Sequence, residues 1–171
     1  MSDLLLKDNK IGFVGEVTKK LICKATGKVI STSIDNNLVV KKGRAEMIKL
    51  LTGTSELVPG EKTKIKKMGL GKGGADAQGR PIAPTDGDVD VNTPIAVSKT
   101  DITSIEIDTN RTNPRVLYTV LFDCDVINSI VNECGLYMND GTTLFAHHTF
   151  KNVPLEAGTG FALQISWSID L

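Results

Sequence analysis

The stretch FALQISWSIDL, residues 161 to 171, alternates without a fault. Phe161, Leu163, Ile165, Trp167 and Ile169 fall on one side; Ala162, Gln164, Ser166, Ser168 and Asp170 fall on the other. A period of two sustained over that length marks a β-strand with one apolar face and sets its register at the same time. Burying the five apolar side chains at roughly 1.5–3 kcal/mol each is worth about 7–15 kcal/mol before entropy is counted. The C-terminal strand is therefore structural, and Trp167 belongs to the core.

Working back from that strand, TTLFAHHTF (142–150) and ECGLYM (133–138) flank Asn139-Asp140-Gly141, and the Asp-Gly pair predicts a tight turn and a hairpin. In RVLYTVLFDC (115–124), Val116, Tyr118, Val120 and Phe122 share one face while Leu117 and Leu121 load the other, the pattern of a central strand covered on both sides. ITSIEID (102–108) precedes it across the polar turn TNRTNP. At the other end, IGFVGEVTKKLIC (11–23), a turn at Gly27, and VISTSIDNNLVV running to Val40 predict a long-armed hairpin. RAEMIKLLTG then has helix formers, with Met47, Ile48 and Leu51 on one face and Gly53 suited to a helix C-terminus. KTKIKKMGLG (62–71) reads as a lysine-guarded exposed or edge strand. The sum is a mainly β protein, an antiparallel β-sandwich of about seven or eight strands with one short helix at about 43–53 and a long Gly/Pro-rich loop at 71–94. Residues 1–10 form an N-terminal arm and residues 11–171 a single domain. Loops beyond roughly 15 residues are usually binding or assembly elements, and this one is expected to order only on assembly.

With 171 residues the chain supports one core. No apolar run approaches the roughly 20 residues of a membrane helix, and the opening MSDLLLKDNK reads as no signal peptide. Twenty basic residues balance twenty acidic ones, which argues against coating nucleic acid. That neutrality hides a division: residues 1–80 hold 16 basic and 8 acidic side chains, a net +8, and residues 81–171 hold 4 and 12, a net −8. Three arrangements fit: a basic surface for phosphate, complementary faces within the fold or between subunits, and local cancellation in one fold, which is the commonest.

Gly69-Leu-Gly71-Lys-Gly73-Gly74 has the GxGxxG form, but QGRPIAPTDG follows it where a nucleotide site needs a helix. Asp86, Asp88, Asp90 and Asn92 alternate like calcium ligands, yet Val91 and Val97 stand where an EF-hand requires Gly and Glu. His147 and His148 are adjacent on a strand, so their side chains point to opposite faces and share no metal within one subunit; three copies around an axis would escape that objection. Asp123 and Asp125 flank Cys124 on a strand in an unremarkable pairing. Cys23, Cys124 and Cys134 show no CxxC spacing and read as reduced thiols. GxSxG is absent. The expectation is a protein that is no enzyme, with no catalytic, cofactor-binding or metal-binding residue, no cofactor and no small-molecule substrate. Glu133 is expected to accept hydrogen bonds from nearby backbone amides, and Gly135 to allow a close approach or a bulge.

Four segments, in order, resemble the structural proteins of tailed bacteriophages and related contractile particles, the group of tail-fibre, baseplate and collar proteins. Asn37, Val39 and Gly43 match that group's strand end before a helix; Gly69, Gly71, Gly73, Pro84 and Asp88 match its glycine loop, lengthened here by ADAQGRPI. Glu133, Gly135 and Leu136 match its E-x-G-L, and Trp167 and Ile169 its last strand. The resemblance implies a non-enzymatic virion component, assembled in the host cytoplasm, that forms homo-oligomers and docks on tail, neck, baseplate or fibre proteins, with no nucleic acid or membrane partner. The alternative is a receptor- or glycan-binding tail tip or fibre module, which would call for surface aromatics. The chain has five Phe, two Tyr and one Trp.

Overall fold

The computed structural model describes residues 15–52, 64–112 and 114–170. The arm at 1–10, the start of the first predicted strand at 11–14, residues 62 and 63 of the lysine-rich strand, and Gly53 lie outside the described residues. Two antiparallel five-stranded sheets pack face to face, as the alternation predicts for a sandwich. Strands β1 (Glu16–Cys23), β2 (Val29–Asn36), β6 (Ser104–Asp108), β7 (Arg115–Asp123) and β10 (Phe161–Asp170) form sheet A in the order β2-β1-β10-β7-β6. Strands β3 (Leu38–Val39), β4 (Ile65–Gly71), β5 (Thr100–Asp101), β8 (Ser129–Met138) and β9 (Leu144–Leu155) form sheet B in the order β3-β9-β8-β4-β5. The count of ten exceeds the seven or eight read from the sequence. The additions include the two-residue strands β3 and β5, too short to carry a period.

Strand β10 sits at the centre of sheet A, with Trp167 opposite Val17 on one side and Tyr118 on the other. Leu163, Ile165, Trp167 and Ile169 are buried in the main core. There they meet Met68, Leu70, Leu136, Met138 and Phe145 from sheet B. The β8–β9 hairpin closes at Asn139-Asp140-Gly141, where Gly141 has φ 69° and the Asp140 carboxylate accepts from the amides of Thr142 and Thr143.

Three expectations change. The second arm of the first hairpin ends at Asn36, and Leu38–Val39 crosses to sheet B to pair with His147 and Ala146. The helix α1 begins at Lys41, not Gly43 (Lys41–Thr52). Gly43 lies inside it because a Cβ there would stand 2.2 Å from the Phe145 carbonyl oxygen; only glycine lets the helix approach β9. Cys124 is not in a strand: it opens a second, four-residue helix, α2 (Cys124–Ile127), with Asp123 as N-cap accepting from the Asp125 amide.

The reading of β7 as covered on both sides also fails. Leu121 is 54% exposed on the outer face of sheet A. Cover on both faces falls instead on sheet B, above all on β8, whose residues Val131–Met138 are all buried. Its inner face meets the core, and its outer face lies under the loop of residues 72–99.

Candidate functional site

Everything chemically distinctive gathers under that loop. Glu133 is fully buried on β8, turned away from the core. Its Oε1 accepts from the Gly73 amide at 2.8 Å and the Thr93 amide at 2.9 Å, and its Oε2 accepts from the Asn92 amide at 2.9 Å. The predicted acceptance of backbone amides by Glu133 is thus borne out. The sequence reading did not anticipate His147: its Nε2 lies 3.1 Å from Glu133 Oε2 and its Nδ1 2.6 Å from Asp88 Oδ2. A carboxylate at each ring nitrogen favours the doubly protonated imidazolium, in which both nitrogens donate.

The titration behaviour follows from these contacts. Burial works against the charge on His147, but its hydrogen bonds to Glu133 and then Asp88 prevail and hold its pKa above the usual histidine value. Burial likewise opposes ionisation of Glu133, yet His147 and the three amides keep its pKa below the ordinary carboxylate range. Asp88 is held low against burial by the Thr85 hydroxyl and His147.

This arrangement accounts for each motif. The glycine-loop amides that would cradle a phosphate are given to the protein's own side chains: Gly73 to Glu133, and Gly74 to Asn132 Oδ1 at 2.7 Å. A Cβ on Gly74 would stand 2.6 Å from the Asn132 carbonyl oxygen, so the loop lies directly on the strand. The alternating acids do not converge on a cation. Asp86 takes Arg44, Asp88 takes His147 and Thr85, Asp90 accepts from the Tyr137 hydroxyl at 2.5 Å, and Asn92 donates to the Gly73 carbonyl. Among the described residues no three His, Cys, Asp or Glu side chains are grouped to hold a metal ion. The loop has a defined path fastened by its own chain, which departs from the expectation that it orders only on assembly.

His148 faces the opposite way, as predicted. It is buried against Phe150 and Trp167, with Lys19 Nζ 3.4 Å from its Nε2. Burial, then the Lys19 charge, push its pKa down to about 4, so it accepts from Lys19 as a neutral ring. Lys19 also pairs with Asp35 and lies over the Phe150 ring. Both histidines are enclosed, so neither reaches a neighbouring copy to build a metal site on an axis. Cys23, Cys124 and Cys134 are free thiols.

No protein-family model, no curated protein and no solved structure matches this chain.

Two features remain on the surface. Ion pairs join the two charge halves: Lys24 to Asp123 and Asp125, Arg44 to Asp86, Lys66 and Lys67 to Asp101, and Arg115 to Glu16. Much of the +8/−8 division cancels locally within one fold. The second feature is strand β2. All eight of its residues are exposed, Val29, Ile30 and Ile34 among them. Among the described residues it forms one edge of sheet A, and it carries no lysine or proline to block pairing. The other edges are blunted: β3 and β5 have two residues each, and β6 has five with Glu106 and Asp108 among them.

Proposed function

We propose that the chain is a non-enzymatic structural protein of a tailed-phage particle, a tail, baseplate, collar or fibre-attachment component that self-assembles and docks on neighbouring subunits. The observation that supports this reading is the unguarded edge of β2. A long exposed strand with unpaired amides and carbonyls is a template for another chain, and natural monomers block such edges. The ionic clusters favour the same reading, since the buried Glu133, His147, Lys19 and His148 are engaged with one another, with backbone and with the more exposed carboxylates of Asp88 and Asp35. A glycan-binding tip is less favoured: Trp167, Tyr137, Phe122, Phe145 and Phe150 are buried. An apolar cavity of about 400 Å³ between the sheets, lined by Met47, Ile65, Ile105, Tyr118 and Phe145 among others, has Glu46 and Lys64 as the charged residues of its wall, and Glu46 is paired with Lys49.

The test is light scattering on the purified chain over a range of concentrations, with mass spectrometry of purified particles. Multimers and presence in particles are expected. A chain that stays monomeric at high concentration and is missing from particles would overturn the proposal.

A further inference from the structure

The partner that fits the β2 edge can be worked out from its backbone. The Asn37 amide donates to the Gly15 carbonyl at 3.1 Å, which makes Gly15 and Asn37 a hydrogen-bonded pair of the β1–β2 ladder. In an antiparallel pair such positions alternate. Residues 35, 33 and 31, opposite Val17, Lys19 and Leu21, therefore bond to β1. Thr32 and Ile34 turn their amides and carbonyls outward to the free edge. A bulge between Leu21 and Ile22 leaves Ile30 as an extra residue, so the regular stretch open to pairing starts at Ser31.

We infer that two copies of this chain pair through β2 in antiparallel fashion about a two-fold axis at Ser33, joining their A sheets edge to edge. The inference rests on the reading of the chain as an assembling component. Three observations favour this partner and this register. Outward-bonding residues must meet outward-bonding residues, and a centre at Ser33 sets Thr32 against the second copy's Ile34, twice by symmetry. Both are β-branched side chains on the outer face, the kind of cross-strand pair that stabilises a ladder. The only charge on β2, Asp35, falls opposite Ser31, so no like charges meet, and Asp35 already carries Lys19 as its counter-ion. A copy of β6 in this place would instead bring Glu106 or Asp108 toward that acidic end.

The pairing predicts a specific cross-link. Ser33 would face its own copy at a non-hydrogen-bonded position, where Cα atoms lie about 4.5 Å apart, within disulfide range. Ser33→Cys, in a Cys23→Ser background, should form a covalent dimer under mild oxidation. Ser31→Cys, opposite Asp35, should not. Ile34→Lys places an edge lysine on an exposed side chain and should reduce the scattering mass to that of a single 18.4 kDa chain, with an unchanged circular dichroism spectrum. Glu106→Lys on the other edge of sheet A should leave the mass as it was. If the parent chain is multimeric but Ser33→Cys gives no covalent dimer, or Ile34→Lys stays assembled, the β2 pairing is wrong while self-assembly stands. An assembly with an odd number of copies also overturns it, because a two-fold contact joins chains in pairs. A parent chain that is monomeric at every concentration removes the self-assembly reading itself.

Discussion

Strands β8 and β2 are both regular β-strands of eight residues or more, and their surroundings are opposite. Between Val131 and Met138 β8 has no exposed residue, whereas β2 has nothing else. The core covers one face of β8, and the other is covered by its own chain, through the glycine loop and the Glu133–His147–Asp88 cluster. Among the described residues, strand β2 has a ladder partner on one side only, β1. A sandwich needs one buried face per sheet, so the extra cover on sheet B and the open edge of sheet A both exceed what folding demands. The loop that the sequence marks as a candidate for binding is spent on the molecule itself, and the plain strand beside it is what remains for a partner.

The sharpest way to break this comparison is Glu133→Ala. It removes the acceptor of three backbone amides and leaves the His147 cation with one carboxylate in a closed site. Removing one member of a buried ion pair costs about 3–5 kcal/mol, so urea unfolding should show a loss of that order, and proteolysis should cut between residues 72 and 94. A loss under about 1 kcal/mol would mean that the loop is not fastened at Glu133. Gly74→Ala should come next. Its Cβ would press on the Asn132 carbonyl oxygen at 2.6 Å and the Glu133 Cβ at 2.7 Å, which are backbone and a stem carbon that cannot swing aside. Overpacking of this kind costs about 1–3 kcal/mol. Gly87→Ala in the same loop meets nothing within 4 Å and should cost nothing measurable.

How far the sequence disclosed these arrangements depends on the range of the contact. Period two in β10 and the Asp140-Gly141 turn are local signals, and both elements formed where they pointed. Glu133 as an acceptor of amides was legible from an acid two residues before a glycine in a strand. Its partner His147 was not, although the two are only 14 residues apart, because their meeting depends on the register between β8 and β9. Asp88 reaches His147 across 59 residues, and no spacing rule connects them. The same limit explains β7: apolar residues on both faces show what would tolerate burial, not which strand a distant loop will cover. Two neighbouring histidines illustrate it best. Strand alternation correctly sent them to opposite faces, but only the tertiary surroundings make His147 a cation and His148 neutral.

That pair makes the cover on sheet B dependent on pH, with a sign that can be worked out. His147 has its pKa raised by folding, so its contribution is complete below the unfolded value near 6.5 and fades as pH rises through the higher folded value. Glu133 has its pKa lowered, so its contribution is present above roughly 4.3 and fades as pH falls through the lower folded value. Amide exchange of Gly73, Asn92 and Thr93 should be slowest between about pH 4.5 and 6.5 and, after correction for intrinsic rates, quicken on either side. His147→Gln should abolish the alkaline limb and keep the acid one. An unchanged alkaline limb in that variant would show that the imidazolium does not fasten the loop.

A small effect is also expected on the outer face of sheet A. Leu121 stands there 54% exposed, with Gln164 of β10 as its ladder neighbour. Leu121→Thr retains a residue suited to strands and exposes no cavity, so the monomer's stability should move by no more than about 0.5 kcal/mol in urea unfolding. A loss of about 2 kcal/mol or more, the range of a buried leucine truncation, would mean that this face is covered in solution. If such a loss grew with protein concentration, the cover would come from another copy, since only a contact between chains makes apparent stability depend on concentration. The β2 pairing inferred above lengthens sheet A sideways and leaves its outer face open. It therefore requires the stability of Leu121→Thr relative to the parent to be the same at low and high concentration.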